Sequence, residues 1–200
     1  MSILFDRLKR LFDEGHGVEL PDLRSDAHFA PPELRPAAVL IAVTDRQQPG
    51  VLLTHRPPEM RAHPGQVAFP GGKLDPGEDA VTAALREAQE ELGIDPSAVR
   101  MIGASDRYVT GTGYDVTPVL ALIPPDLPII PNPLEVSEWF EAPLSYLLNP
   151  ANHVQRQGEW RGAVRHYLEI EWQGHRIWGV TAAILANLSR RLQWQERIDG

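Results

Sequence analysis

Cysteine is absent from all 200 residues, which removes disulfides, thiolate metal sites and a cysteine nucleophile together. Positive charge is scarce as well: 19 Lys and Arg against 27 Asp and Glu leave a formal charge of −8. Nucleic acid and anionic membrane are polyanions, so a surface of this sign repels both at long range, and an anionic ligand needs local arginine or a metal ion. No apolar run reaches the roughly 18 residues that span a bilayer. The opening "MSILFDRLKRLFDEG" lacks the apolar stretch and small-residue cleavage site of a secretory signal. Position 2 is Ser2, where a myristoylated chain has glycine, and the closing "RIDG" is no peroxisomal address. The expectation is a cytoplasmic protein without a nucleic-acid or membrane partner. Internal repeats and low-complexity segments are also missing.

What is present suits one compact domain, with 42% apolar residues to build a core. Ile3, Leu4, Leu8, Leu11 and Phe12 fall at helical spacing and predict a short amphipathic helix over residues 3–13, stopped by Gly15 and Gly17. Packing or self-association is its expected role, which leaves room for a homodimer. A membrane-surface or calmodulin-binding helix is the competing reading, weakened by Asp6, Asp13 and Glu14 on the basic face. Prolines at 21, 31, 32 and 36 make the next stretch an irregular strap. The division expected is residues 1–35 for helix and strap and 36–196 for a single domain.

Within that domain, "AAVLIAV" (37–43) and "GVLLTHR" (50–56) read as a hairpin-like pair of strands. Further strands are expected at 99–105, 114–123 and 164–172, and helices near 143–149 and 181–195. Residues 124–136, "PPDLPIIPNPLEV", form a long proline-rich loop of a kind that often carries function. The mixture predicts α+β or a mixed-sheet α/β sandwich.

The densest chemistry lies in "REAQEE". Val81, Ala84, Leu85, Ala88 and Leu92 mark the buried face of a helix that Gly93 ends. Glu87, Glu90 and Glu91, at i, i+3 and i+4, share another sector of roughly 100°. Like charges at that spacing cost only a few tenths of a kcal/mol, about what an ordinary solvated acidic face tolerates. A hard divalent cation gives the alternative reading, since clustered carboxylates hold Mg²⁺ or Mn²⁺ where substrate phosphates complete the shell. Upstream, "FPGGKLDPGE" specifies a tight loop running into the helix, and Arg86 is placed to pair with Glu78.

Residues 72–94, "GKLDPGEDAVTAALREAQEELGI", resemble the Nudix box, G-x5-E-x7-R-E-U-x-E-E-x-G-U with U apolar, at Gly72, Glu78, Arg86, Glu87, Glu90, Glu91, Gly93 and Ile94. Ala88 is smaller than the usual aliphatic residue. Ordinary residue frequencies give a chance match on the order of 10⁻⁶. The resemblance implies an α/β/α sandwich with a mixed central sheet and a loop-helix-loop motif. It also implies metal-dependent hydrolysis of a nucleoside diphosphate derivative. Glu87, Glu90 and Glu91 would ligate Mg²⁺ or Mn²⁺, the Gly71 carbonyl would be a further ligand, and Glu78 and Arg86 would organise the catalytic loop. The general base is left among Glu91, Glu135 and Glu138. The last two follow the proline-rich loop in "LEVSEWF", where a mobile carboxylate can close over substrate; their alternative role is plain surface.

The preceding "LLTHRPPEMRAHPGQVAFPGG" (52–72) resembles a second signature, that of coenzyme A diphosphatases within the Nudix family, at Leu52, Leu53, Thr54, Arg56, Arg61, Gly65, Phe69, Pro70, Gly71 and Gly72. It departs at Pro57 and Pro58, where that signature has a small pair, and in the spacer that follows. This implies coenzyme A or acyl-coenzyme A as substrate, bound by Arg56, Arg61, His63, Gly65, Phe69 and Lys73, since arginine is the natural partner of a diphosphate and a ribose phosphate. His63 as a mere loop hydrogen-bonder is the blander alternative. Trp139, Trp160, Trp172 and Trp178 are candidates to stack on adenine, against the commoner role of buried tryptophan. Two other functions remain open: hydrolysis of ADP-ribose, NADH or another dinucleotide, and non-catalytic nucleotide binding by a regulatory domain of the same family.

Overall fold

From the N-terminus the chain forms α1 (Ile3–His16), β1 (Arg35–Thr44), β2 (Gly50–His55), β3 (Val67–Ala68), β4 (Gly71–Lys73) and α2 (Ala80–Leu92). There follow β5 (Arg100–Ala104), β6 (Tyr108–Val109), β7 (Tyr114–Ile123), β8 (Glu138–Pro143) and α3 (Leu144–Leu147). The last elements are β9 (Val154–Trp160), β10 (Ala163–Trp172), β11 (His175–Trp178) and α4 (Val180–Arg191). The computed structural model describes residues 2–58, 65–160 and 162–193.

The centre is a parallel pair. β1 and β7 run side by side in unbroken register from Arg35 opposite Tyr114 to Thr44 opposite Ile123. Around them a mixed sheet takes the order β3-β2-β1-β7-β5, with β4 on β1, β6 on β7 and β8 on β2. Side chains alternate along a strand, so each face draws on every second residue. Ala38, Leu40 and Ala42 of β1, with Val119, Ala121 and Ile123 of β7, pack against Ala84, Ala88 and Leu92 of α2. Ile41, Val43, Leu120 and Leu122 face the other way, into a core shared with α1, α4 and the second sheet. Helices thus cover both faces of a mixed sheet, the α/β/α sandwich expected. Every side chain in that first layer is fully or almost fully buried, each larger one contributing about 1.5–3 kcal/mol. No helix among the described residues is long and apolar enough to cross a membrane.

Four details differ from the sequence-based expectation. The helix at the N-terminus continues through Gly15 to His16, because Gly15 serves close packing instead of termination: a Cβ there would sit 1.7 Å from the Arg191 carbonyl oxygen. β1 and β2 are antiparallel, yet most of β1 is bound to β7 and β4. Glu138 belongs to strand β8, not to the loop before it. Finally, β9, β10 and β11 make a separate three-stranded antiparallel sheet, of which only the second strand is among those expected from sequence. The terminal helix is described to Arg191, and its expected last residues, 194–195, lie outside the described residues.

Candidate active site

Backbone proximity builds the site first. Gly71 and Gly72 of β4 lie opposite Val39 and Ala38 of β1, so close that a Cβ on Gly71 would fall 2.3 Å from the Ala38 carbonyl oxygen. Only glycine lets the loop lie this tightly on the central strand. The chain then turns into α2, whose N-cap Asp79 accepts from Thr82 N–H at 2.8 Å. At the other end Gly93 adopts φ 69°, the left-handed region, and its N–H donates to Gln89 O. Two more helix-end carbonyls are served from far away: Ile130 N–H donates to Leu92 O at 2.8 Å and Asn132 N–H to Glu91 O at 2.9 Å. The proline-rich loop is therefore stitched to the end of α2, and Glu135 follows on the turn that Asn132 starts.

Arg86 organises the carboxylates. Its Nε and Nη2 donate to Glu78 Oε1 and Oε2, both at 3.0 Å, in the bidentate geometry that suits a planar guanidinium. Nη2 also donates to Lys73 O at 3.0 Å, while Nη1 donates to Glu87 Oε1 at 2.9 Å and Glu90 Oε2 at 3.1 Å. Loop and helix are held as one unit by a single side chain.

Glu87, Glu91 and Glu135 converge, with one carboxylate oxygen from each within 4.8 Å of the others. Glu91 is 6% exposed, and burial pushes its carboxyl up to about 8, against the opposing pull of the Arg56 charge and the Gly71 N–H, which donates to Oε2 at 3.2 Å. Burial also raises Glu87, partly offset by its hydrogen bond from Arg86. Each of the three accepts a hydrogen bond, Glu87 from Arg86, Glu91 from Gly71 N–H and Glu135 from Asn132 Nδ2, and the facing oxygens form a hard donor set that fits Mg²⁺ or Mn²⁺.

A cavity of about 470 Å³ opens over this cluster. Arg56, Phe69, Gly71 and Lys73 line it, together with Trp178. Of the other sequence candidates, Glu90 is exposed and bound to Arg86, outside the convergent trio. Gly65 sits in the turn after β2, with φ 66° and its N–H donating to Arg56 O. Arg61 and His63 lie outside the described residues. Glu138 stands opposite His55 across the β2–β8 pair, away from the trio. Of the tryptophans, Trp178 reaches the cavity, while Trp172 packs on Tyr146 with ring centroids 4.7 Å apart. Thr110, Thr112 and Tyr114 also line the cavity and had not been singled out. The signal available for them was "TGTGY" beside an apolar strand, a turn in which Thr110 is buried and its hydroxyl meets that of the exposed Thr112 at 3.1 Å.

Residues 34–161 match the NUDIX domain. The chain is 44% identical over 164 residues to the "Uncharacterized Nudix hydrolase NudL" of Escherichia coli (strain K12), covering 79% of this chain and 83% of that protein. A protein of the same description in Enterobacter sp. (strain 638) is 40% identical over 192 residues, covering 90% and 97%. Among solved structures, a Nudix hydrolase of M. smegmatis, RenU, is similar at 27% identity and a TM-score of 0.49, over 55% of this chain and 71% of that one.

Proposed function

The chain belongs to the Nudix family, and on that premise we propose that it hydrolyses the diphosphate bond of coenzyme A or its thioesters, giving 3′,5′-ADP and (acyl-)4′-phosphopantetheine. It is a hydrolase of pyrophosphate bonds, acting on a nucleoside diphosphate derivative; the proposal concerns which one. One observation carries it. The stretch from Leu52 to Gly72, whose pattern resembles that of coenzyme A diphosphatases, supplies Arg56, Phe69 and Gly71 to the same cavity that Glu87, Glu91 and Glu135 line.

In this reading Arg56 and Lys73 bind phosphate oxygens, Phe69 and Trp178 offer apolar walls, and Arg61, His63 and Gly65 complete the substrate contacts. Two of the three carboxylates Glu87, Glu91 and Glu135 would hold Mg²⁺ or Mn²⁺, which would neutralise charge on the diphosphate and acidify a bound water, leaving the third free to take a proton. Glu90, one helical turn from Glu87 and bound to Arg86, would be a further ligand, and Gly71 lines the same cavity. Arg86 fixes the direction of Glu87 while anchoring the loop to the helix. Water adds to one phosphorus, the bridging P–O bond breaks, and the bridging oxygen leaves with the other phosphate. The water's proton goes to Glu135, the cluster carboxylate that comes from the loop, with Glu91 as the alternative acceptor beneath it.

Product analysis tests the proposal. Purified protein with Mg²⁺ or Mn²⁺ should release 3′,5′-ADP from coenzyme A or acetyl-coenzyme A. Absence of that product at micromolar enzyme overturns it, and faster turnover of ADP-ribose or NADH replaces it with that substrate. Tight coenzyme A binding without turnover would instead make the domain a sensor.

A further inference from the structure

At the seam between the two sheets, three metal-binding side chains from three strands meet away from the carboxylate trio. His55 ends β2, and Glu138 begins β8 directly opposite it. His175 opens β11, after a turn in which Gln173 and Gly174 take φ of 48° and 87°. His55 Nε2 lies 2.8 Å from His175 Nδ1 and 4.0 Å from Glu138 Oε2. One ligand atom from each residue lies within 4.8 Å of the other two. Phe140, two residues along β8, stacks on His175 with centroids 3.7 Å apart and planes 7° from parallel.

One ring N–H between the two imidazoles accounts for the 2.8 Å contact, and Glu138 then reaches only His55, at the 4.0 Å limit of an ion pair. A divalent cation uses all three groups. We infer that His55, Glu138 and His175 form a second metal site, separate from the carboxylate trio, for a borderline ion of the zinc class such as Zn²⁺, Co²⁺ or Ni²⁺.

Two imidazoles and one carboxylate are the ligand set that such ions prefer, whereas Mg²⁺ and Mn²⁺ favour oxygen. Bonds of about 2.0–2.1 Å at a tetrahedral angle put the two nitrogens about 3.3 Å apart, so the rings need only separate by about half an ångström. Glu138 is 60% exposed, which gives the ion a path in and leaves a fourth position for water. The position matters for the cavity. His55 precedes Arg56, and His175 starts the strand that ends in Trp178, both of which line it. An ion at the seam would clamp these two walls at a fixed spacing.

Metal-stripped protein titrated with Co²⁺ under excess Mg²⁺ tests this, followed by the visible absorption of the bound ion and its displacement by Zn²⁺. Stoichiometric Co²⁺ binding that Mg²⁺ does not compete away is the expected result. His175→Ala and Glu138→Gln should each weaken it by about tenfold or more, while the double variant Glu87→Gln with Glu91→Gln keeps it. His175→Phe removes the ligand nitrogen but retains a ring against Phe140, so it decides the matter should the alanine variant fold poorly. Unchanged Co²⁺ affinity in His175→Phe overturns the site, as does loss of the Co²⁺ spectrum in the Glu87 and Glu91 double variant.

Discussion

Gly72 lies directly against the carboxylate of Glu87: a Cβ on Gly72 would fall 2.3 Å from Glu87 Oε1 and 2.4 Å from its carboxyl carbon. The atoms it meets belong to the end of a flexible side chain. Gly72→Ala should therefore fold normally by circular dichroism and still displace Glu87. A displacement of about 1 Å at a metal ligand costs on the order of 100-fold in turnover. Steady-state kinetics on coenzyme A with a Mg²⁺ titration measures it; near wild-type turnover and metal affinity would show that Glu87 is not needed where it stands.

Arg86 spreads its donors over Glu78, Glu87, Glu90 and the Lys73 carbonyl, which an ammonium cannot do from one point. Arg86→Lys should lose at least about tenfold in kcat, with a smaller change in KM, and about 1–3 kcal/mol of stability in urea unfolding. Equal losses in Lys and Ala variants would confirm that geometry, more than charge, is at stake.

Glu91→Gln gives opposite signs for activity and metal-free stability. The amide keeps the size and can still accept from Gly71 N–H, but it has no charge to desolvate. In EDTA the variant should unfold at a higher temperature than wild type above pH 8, where the buried carboxyl has been forced to ionise. Added Mg²⁺ should narrow the gap by stabilising wild type more, while turnover falls by about 100-fold or more. A variant less stable in EDTA at that pH would refute the strained-carboxylate account.

Asp106 and Arg191 carry a pH dependence. Burial opposes the charge of Asp106, but two hydrogen bonds from Arg191, both 2.7 Å, outweigh it and leave the carboxyl below the usual range. A depressed folded value stabilises the protein above the unfolded value of about 4, and that contribution disappears as pH falls through the folded value. Asp106→Asn should cost about 2–4 kcal/mol at pH 7, because it leaves a buried guanidinium without its counter-charge, and less at about pH 3, below the unfolded value. Urea titrations at the two pH values check it; a pH-independent loss would point to packing alone.

The sandwich was legible because its signals are local. The apolar run ending at Ile123 fits β7 to the residue, and Asp79 and Gly93 frame α2 as capping chemistry predicts. The Glu78–Arg86 pair could also be read from spacing, since both residues lie in one loop-helix unit. Long-range partners were not legible. Gly15 looks like a stop until Arg191 is seen against it, and nothing near Glu138 in sequence announces His55 or His175. The burial pattern within α2 differs in part from the periodicity: the fully buried apolar positions are Ala83, Ala84, Ala88 and Leu92, three of them small, while Val81 and Leu85 are half-buried. Small residues let the helix lie close to Ala38 and Ala42, a matter of sheet distance that hydrophobicity does not encode.

The two hydrogen bonds from Ile130 and Asn132 to the last carbonyls of α2 have a consequence for how this protein opens. Those amides belong to a loop yet are protected by a helix terminus. In hydrogen exchange they should share the opening free energy of the α2 end and not that of free loop amides, so a substrate that quiets one will quiet the other. Loop and helix would then breathe as one foldon, and the carboxylate of Glu135 would leave the site only when the helix that carries its companions begins to fray.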